Sequence, residues 1–345
     1  MSQQPASRSR LRAYLEFLTA ILYFFVARGL ARHGADVLAS GPSPALGSPL
    51  VEQTMLALFL LFGYAAMGFW FDRQAYPISE QGFPRRKGWT REWAMGLATG
   101  WALAVACVLP MVIFGGIAVT VTAQLPAWLG LLADAAFFAA VALTEEVAFR
   151  GYGFQRFAEA VGPVGASLVF AAYYALVQAT IPGSGRASIL VSVVLALVLS
   201  TAYLRTRALW VSWGLNFGWK ASRALLFGLA VSGDGMHSSV VQGDPMGPFW
   251  LTGGAYGLDG TWIAFIALLV ALPVVVRLTR DLDFQYNAPV LEPAGIPVDL
   301  DAAARAQHEK AMGAQEPAPP ALVQIAAAPS SQPERPENSG SGEPR

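Results

Sequence analysis

Stretches of at least 18 residues with almost no charged side chain recur along most of this 345-residue sequence. Such a stretch is long enough to cross about 30 Å of hydrocarbon as an α-helix. Only 13% of the residues are charged, whereas soluble domains carry about 25%. The sequence therefore predicts an all-α, polytopic membrane protein and argues against a soluble fold.

Hydropathy averaged over about 19 residues predicts eight transmembrane helices. Their approximate ranges are 13–31, 54–71, 94–119, 127–149, 163–180, 188–204, 208–229 and 261–278. The first range follows a basic segment, as the core of a signal peptide would. Its apolar core is long, however, and contains Glu16 and Arg28, so we expect an uncleaved first membrane helix.

Arginine and lysine residues predict the orientation of the spans. They concentrate at one set of span ends, which carries Arg8, Arg10, Arg12, Arg73, Arg85, Arg86, Lys87, Arg91, Arg156, Arg205, Arg207, Arg277 and Arg280. The opposite ends carry only Arg32 and Arg186. By the positive-inside rule, we expect both termini to face the cytoplasm.

Composition divides the sequence into a membrane domain and a tail. We expect residues 1–282 to form the membrane domain. Residues 283–345 are rich in Ala, Pro, Gln, Glu and Ser, a composition that predicts a disordered cytoplasmic tail. The glycine-rich connection 230–260 is predicted on the other side of the membrane, where long loops often form a lid or plug.

Charge and cysteine content exclude several kinds of site. The formal net charge is zero, so no basic surface supports a nucleic-acid partner. The single cysteine, Cys107, permits no intramolecular disulfide and no zinc site of the Cys-x-x-Cys type. We expect neither a metal ion nor another cofactor.

The end of the fourth span combines two carboxylates with an arginine. A charge at the bilayer centre costs about 2.5–3.5 kcal/mol, so each one needs a partner or water. Glu146 and Arg150 are four residues apart and can form an i, i+4 pair. Glu145 points about 100° away from Glu146 around the helix, toward a different neighbour.

Two other spans carry polar stripes. The seventh has Asn216, Lys220 and Arg223 on one face, and the fifth has Phe170, Tyr174 and Gln178. Such stripes must face protein or a wet cavity. We therefore expect the fourth, fifth and seventh spans to meet, with Lys220 or Arg223 as the counter-charge for Glu145 or Asp134.

Structural roles for these residues remain open at this stage. Glu145, Glu146 and Arg150 lie near a span end, where their side chains can extend to the headgroups. Tyr174 and Gln178 are also suited to ordinary hydrogen bonds between helices.

The motifs resemble those of the CPBP family, the CAAX proteases and bacteriocin-processing enzymes, also called the type II CAAX prenyl endopeptidase or ABI family. "EEVAFRGYGFQRF" resembles the first motif, Glu-Glu-x-x-x-Arg. "LVFAAYYAL" lies where the family has Phe-x-x-x-His, and "YLRTRALWVSWGLNFGWK" where it has Leu-Arg-Thr-x-x-Leu-Trp followed by His-x-x-x-Asn. "WLTGGAYGLDG" is similar to the loop of many members, so the ordered set covers residues 145–260.

The resemblance implies an intramembrane endopeptidase of the glutamate type in a bacterial plasma (inner) membrane. In that family the first glutamate and the second-motif histidine activate water, and the third-motif histidine and asparagine stabilise the oxyanion. The arginine organises the carboxylates. The positions that correspond to this catalytic set are Glu145, Glu146, Arg150, Tyr174, Asn216 and Lys220.

The sequence departs from the family pattern at three of these positions. Tyr174 and Asn216 replace the two histidines, and Lys220 replaces the asparagine. The three histidines of the sequence are predicted in loops or the tail, at His33, His237 and His308. Lys220 would favour the ionised form of Glu145 and make it a weaker base, so we expect reduced or lost peptide hydrolysis.

Two other functions remain open. One is a non-catalytic scaffold or binding protein whose partners are membrane lipid and a membrane-embedded or lipidated peptide or protein. The other is a transporter, for which inverted repeats and broken helices would be expected. The sequence shows neither feature clearly, although Pro110 and Pro273 can kink their spans.

Overall fold

The computed structural model describes residues 9–40, 48–235, 238 and 240–286. His237, His308 and the predicted tail beyond Tyr286 lie outside these residues. The described helices are α1 (Arg10–Ala39), α2 (Ser48–Asp72), α3 (Pro77–Glu80), α4 (Trp89–Ile113), α5 (Leu125–Arg150), α6 (Tyr152–Val161), α7 (Pro163–Ala179), α8 (Arg186–Thr206), α9 (Trp210–Ala221), α10 (Phe249–Thr252), α11 (Trp262–Leu278) and α12 (Arg280–Tyr286). A π-helical turn, Ser222–Leu226, continues α9.

Each of the eight predicted spans overlaps one of these helices, and the all-α class is confirmed. Within the described part of the chain, five helical segments are long and apolar enough to cross a membrane. They are α1, α2, α4, α5 together with α6, and α8. Helices α7 and α11 are apolar but shorter. Helix α9 covers only part of the predicted span 208–229, and the π turn extends it to Leu226.

The predicted third span, 94–119, extends beyond the end of the helix that it describes, α4. Helix α4 ends at Ile113, and Gly115, with a φ of 66°, turns the chain into strand β1 (Ile117–Val121). This strand pairs antiparallel with β2 (Val241–Pro245). Its sequence, IAVTV, is apolar and β-branched, so a hydropathy window cannot distinguish it from the end of the helix.

Helices α4 and α9 pack with their backbones in contact. Each contributes two glycines four residues apart, Gly96 and Gly100 on α4 and Gly214 and Gly218 on α9. A Cβ atom at Gly100 would overlap the carbonyl oxygen of Leu215, and one at Gly214 would overlap that of Trp93. Small residues at this spacing let membrane helices approach closely. The contact fixes the helix that carries Asn216 and Lys220.

The loop before α11 folds back onto the protein. Gly253 and Gly257 have φ values of 70° and 84°, which glycine adopts without strain. The backbone of Gly233 donates to the Tyr256 carbonyl oxygen at 3.1 Å, and Asp259 is buried. The loop therefore packs against the helices.

Candidate functional site

The last two turns of α5 carry the acidic part of the site. Glu146 and Arg150 form the predicted pair, with 3.0 Å between Arg150 Nη1 and Glu146 Oε1. Arg150 also donates to the Ala196 carbonyl oxygen on α8 at 3.2 Å. Both side chains are buried, where an unpaired charge would cost several kcal/mol. The two buried charges of the motif, on Glu146 and Arg150, therefore neutralise each other.

Helix α9 places Asn216 and Lys220 against these carboxylates. Lys220 Nζ forms an ion pair with Glu145 Oε1, so this predicted pairing is confirmed. Asn216 Nδ2 donates to Glu145 Oε2 at 2.9 Å and to Glu146 Oε1 at 3.1 Å. The two glutamates thus have different cationic partners, as predicted, but they share one amide donor that the prediction of separate neighbours did not include.

Exposure distinguishes Glu145 from the other charged groups of the site. Its side chain is 23% exposed, whereas that of Lys220 is 7% exposed. Glu146 is fully buried. Glu145 is therefore the carboxylate that water or a ligand can reach.

Tyr174, at the second-motif position, lies on α7 beside this group. Gln178 Nε2 donates to the Tyr174 hydroxyl at 3.3 Å and to Ser232 Oγ at 3.5 Å. The charges of Glu145 and Lys220 lie close enough to the Tyr174 hydroxyl to interact with it electrostatically. The predicted meeting of three helices is confirmed, and Tyr174 is linked through Gln178 to the loop after α9.

Arg223 pairs with a residue that the sequence prediction missed. Its Nη1 lies 2.7 Å from Asp259 Oδ1, so Arg223 forms its ion pair with Asp259, whereas Glu145 pairs with Lys220. The π turn after α9 carries Arg223, and its guanidinium lies 4.3 Å from the centre of the Trp219 indole. π-helical turns are frequent at functional sites. Here the turn joins α9 to the folded-back loop.

Asp259 is held by donors from three places. Besides Arg223, it accepts hydrogen bonds from Ser232 Oγ at 2.7 Å and from Trp219 Nε1 at 3.2 Å. Burial acts to raise the pKa of Asp259, but Arg223 and Ser232 outweigh it and hold that pKa below its ordinary value. The carboxylate is therefore ionised and anchors the loop.

Two signals for the missed residues are present in the sequence. Asp259 lies in "GLDG" directly before an apolar span, and an acidic residue at such a boundary is a candidate for inward pairing. The glycine pairs appear as "GLATG" and "GLNFG", each with the G-x-x-x-G spacing of close helix contacts. Neither signal identifies its partner without the structure.

The site as a whole is neutral. Three ion pairs account for it: Glu145 with Lys220, Glu146 with Arg150, and Asp259 with Arg223. The ammonium of Lys220 and the amide of Asn216 are both used by the glutamates. The arrangement can bind polar groups at Glu145, but its donors are directed at carboxylates.

No metal site emerges from the part of the chain that the structure describes. Its His, Cys, Asp and Glu side chains form no group of three or more that could hold a metal ion. The glutamates of the motif contact cationic and amide nitrogens instead. These contacts define the site as an ion-pair network.

Comparison with known proteins bears on the same segment. Residues 126–222 match the family model described as type II CAAX prenyl endopeptidase Rce1-like. This range runs from α5 to the π turn and contains all six residues of the motif set. No curated protein and no solved structure matches the chain. The family match and the ordered motifs agree over this segment, and the chain is a CAAX-protease-like, multi-pass integral membrane protein.

Proposed function

We propose that this protein has reduced or no peptide hydrolysis and that its protease-derived site binds a membrane-embedded or lipidated peptide. The observation that carries the proposal is that both carboxylate oxygens of Glu145 already have partners within the protein. One of its carboxylate oxygens faces Lys220 and the other accepts from Asn216 at 2.9 Å. Both partners stand where the family has residues that serve the oxyanion.

Loss of efficient hydrolysis follows from the side chains present. A general base needs to take a proton from water, and the two carboxylate oxygens of Glu145 already accept from the Lys220 ammonium and the Asn216 amide. Tyr174 is neutral and hydrogen-bonded to Gln178, so it does not supply the imidazole of the second motif. One preorganised oxyanion donor is worth about 2.7–4 kcal/mol of barrier, and Asn216 directs its amide protons at the glutamates instead.

Peptide binding is supported by what remains accessible. Glu145 is 23% exposed and can accept an N–H group. The apolar helices around the site provide surroundings for a lipid-anchored chain.

A cleavage assay tests the loss of hydrolysis. Purified protein in liposomes is incubated with a fluorescent farnesylated peptide that ends in a CAAX sequence. We expect the wild-type protein to form cleavage product no faster than empty liposomes do. The variant Glu145→Gln should give the same rate. Cleavage by the wild-type protein that disappears in Glu145→Gln, with the thermal stability retained, would show that the site is a working protease.

A photo-crosslinking version of the same peptide tests the binding. We expect crosslinks to α5 and α9 that unlabelled peptide competes away. The variant Glu145→Gln should weaken this labelling, whereas Glu52→Gln on α2 should leave it unchanged. Labelling that is equal in all three proteins would contradict peptide binding at this site.

A further inference from the structure

An apolar cavity lies beside the polar site, between α1, α5 and α7. It has a volume of about 280 Å³ and is lined chiefly by apolar and aromatic side chains, among them Phe17, Phe24, Ala148, Phe149 and Phe170. Its volume is close to the lower limit of about 300 Å³ for small-molecule sites. The cavity is therefore sized for one chain of a ligand rather than for a whole lipid.

The cavity opens toward the membrane. Four of its lining residues are strongly exposed: Ile21 at 38%, Phe25 at 55%, Val169 at 50% and Tyr173 at 44%. They belong to α1 and α7, helices that the sequence predicts to span the bilayer. Because their exposed surface would face hydrocarbon, the natural occupant of the groove is an apolar chain that enters from the lipid.

One stripe of α1 connects the groove to a positive charge. Arg10, Tyr14, Phe17 and Ile21 follow each other at i, i+4, i+7 and i+11, which places them within about 60° of one another around the helix. Arg10 is exposed at the first position of α1. At about 1.5 Å per residue, Phe17 lies about 10 Å and Phe25 about 22 Å along the axis from Arg10.

We propose that this groove binds one acyl chain of an anionic phospholipid, with the phosphate at Arg10. The charge of Arg10 is complementary to the phosphate, and Tyr14 lies at the depth where aromatic residues prefer the membrane interface. The axial range of the groove matches one leaflet of a hydrocarbon core about 30 Å thick. The occupant is thus a lipid of the leaflet at the N-terminal end of α1.

An occupied groove would act on the polar site through Phe149. Its ring forms part of the groove lining and packs edge-on against the Tyr174 ring, with 5.3 Å between their centres. Phe149 follows Glu145 by one helical turn on α5. A bound acyl chain therefore supports the aromatic wall that separates lipid from the Tyr174 hydroxyl.

Photo-labelling in nanodiscs tests this lipid site. The probe is a phosphatidylglycerol with a diazirine in its acyl chain, and labelled residues are identified by mass spectrometry. We expect labels at Phe17, Ile21 and Tyr173 to exceed those at Ile266 and Val270, which lie exposed on α11 and report ordinary contact with bulk lipid. Equal labelling of all these positions would overturn the proposal.

Matched variants separate a specific site from general lipid contact. Val169→Trp should fill the groove and abolish most of its labelling, whereas Leu168→Trp, exposed but outside the lining, should not. Arg10→Gln should lower labelling about fivefold, and Arg28→Gln should leave it unchanged. Labelling that survives Val169→Trp, or that farnesylated peptide displaces at a concentration far below that of the lipid, would reject a phospholipid as the occupant.

Discussion

Lys220 is the residue on which the charge balance at Glu145 depends. Replacing it with methionine removes the cation and leaves a carboxylate that is 23% exposed in apolar surroundings. We expect Lys220→Met to lower the free energy of unfolding by about 3 kcal/mol, the lower end for a broken buried pair. The double variant Lys220→Met with Glu145→Gln should recover most of the loss, because both charges are then absent.

Thermal unfolding in one detergent measures both effects. Lys87→Met is the matched control, because Lys87 is exposed and its charge is solvated; its melting temperature should equal that of the wild type. An unchanged melting temperature for Lys220→Met would show that the pair does not stabilise the protein.

Asp259 gives the stability a dependence on pH. Its pKa is lower in the folded protein than its ordinary value, so its stabilisation is complete above the unfolded value of about 3.9 and disappears as the pH falls through the folded value. Asp259→Asn should therefore be less stable than the wild type by a constant amount between about pH 7 and 5, and the difference should narrow below about pH 4.

Melting temperatures of the two proteins across this pH range provide the measurement. Asp244→Asn, at an exposed position on β2, should follow the wild type throughout. A difference for Asp259→Asn that grows on acidification would contradict the assigned direction.

At the level of elements, the contact between α4 and α9 determines the position of the site. A Cβ atom at Gly100 would overlap the backbone of α9 at Leu215 and Trp219. We therefore expect Gly100→Ala to destabilise the protein by about 1–3 kcal/mol, as overpacked sites do. The same change in a free helix would stabilise it by about 0.5–1 kcal/mol.

Gly29 supplies the comparison for this prediction. It lies in α1 with no atom within 4 Å of an added Cβ, so Gly29→Ala should leave the melting temperature unchanged or raise it. Equal effects of the two substitutions would mean that α4 and α9 do not pack through their glycines.

The sequence predicts elements better than their ends and their long-range partners. Long apolar runs identify the helices because lipid requires every backbone group to be bonded within the helix. The i, i+4 spacing of Glu146 and Arg150 predicts a contact within one helix. The pairing of Lys220 with Glu145 needed only the additional requirement that membrane charges be neutralised.

Other features depend on information that is absent from local sequence. Strand β1 is as apolar as a helix end, so only its pairing with β2, more than a hundred residues away, makes it a strand. The partner of Arg223 lies in a loop that hydropathy places outside the membrane. The π turn that carries Arg223 has no residue pattern of its own, because tertiary contacts select it.

For the molecule as a whole, the arginines and lysines predict one orientation in the membrane. Eight spans place residues 72–93 on the same side as both termini and residues 230–260 on the opposite side. Each predicted span overlaps one of the described helices. The number of crossings determines the side of each loop. An odd error in the number of crossings between residues 93 and 230 would bring both loops to the same side.

Cysteine labelling in intact bacterial cells tests this topology. In a Cys107→Ala background, which removes the single native cysteine, new cysteines replace Lys87 and Gly235, both exposed. A membrane-impermeant maleimide should label Gly235→Cys in intact cells, since its loop is predicted to lie outside the cytoplasm. Lys87→Cys should react only after permeabilisation, because the positive-inside rule predicts that the arginine-rich ends face the cytoplasm. Labelling of Lys87→Cys alone would reverse the orientation, and labelling of both in intact cells would require a different number of crossings between them.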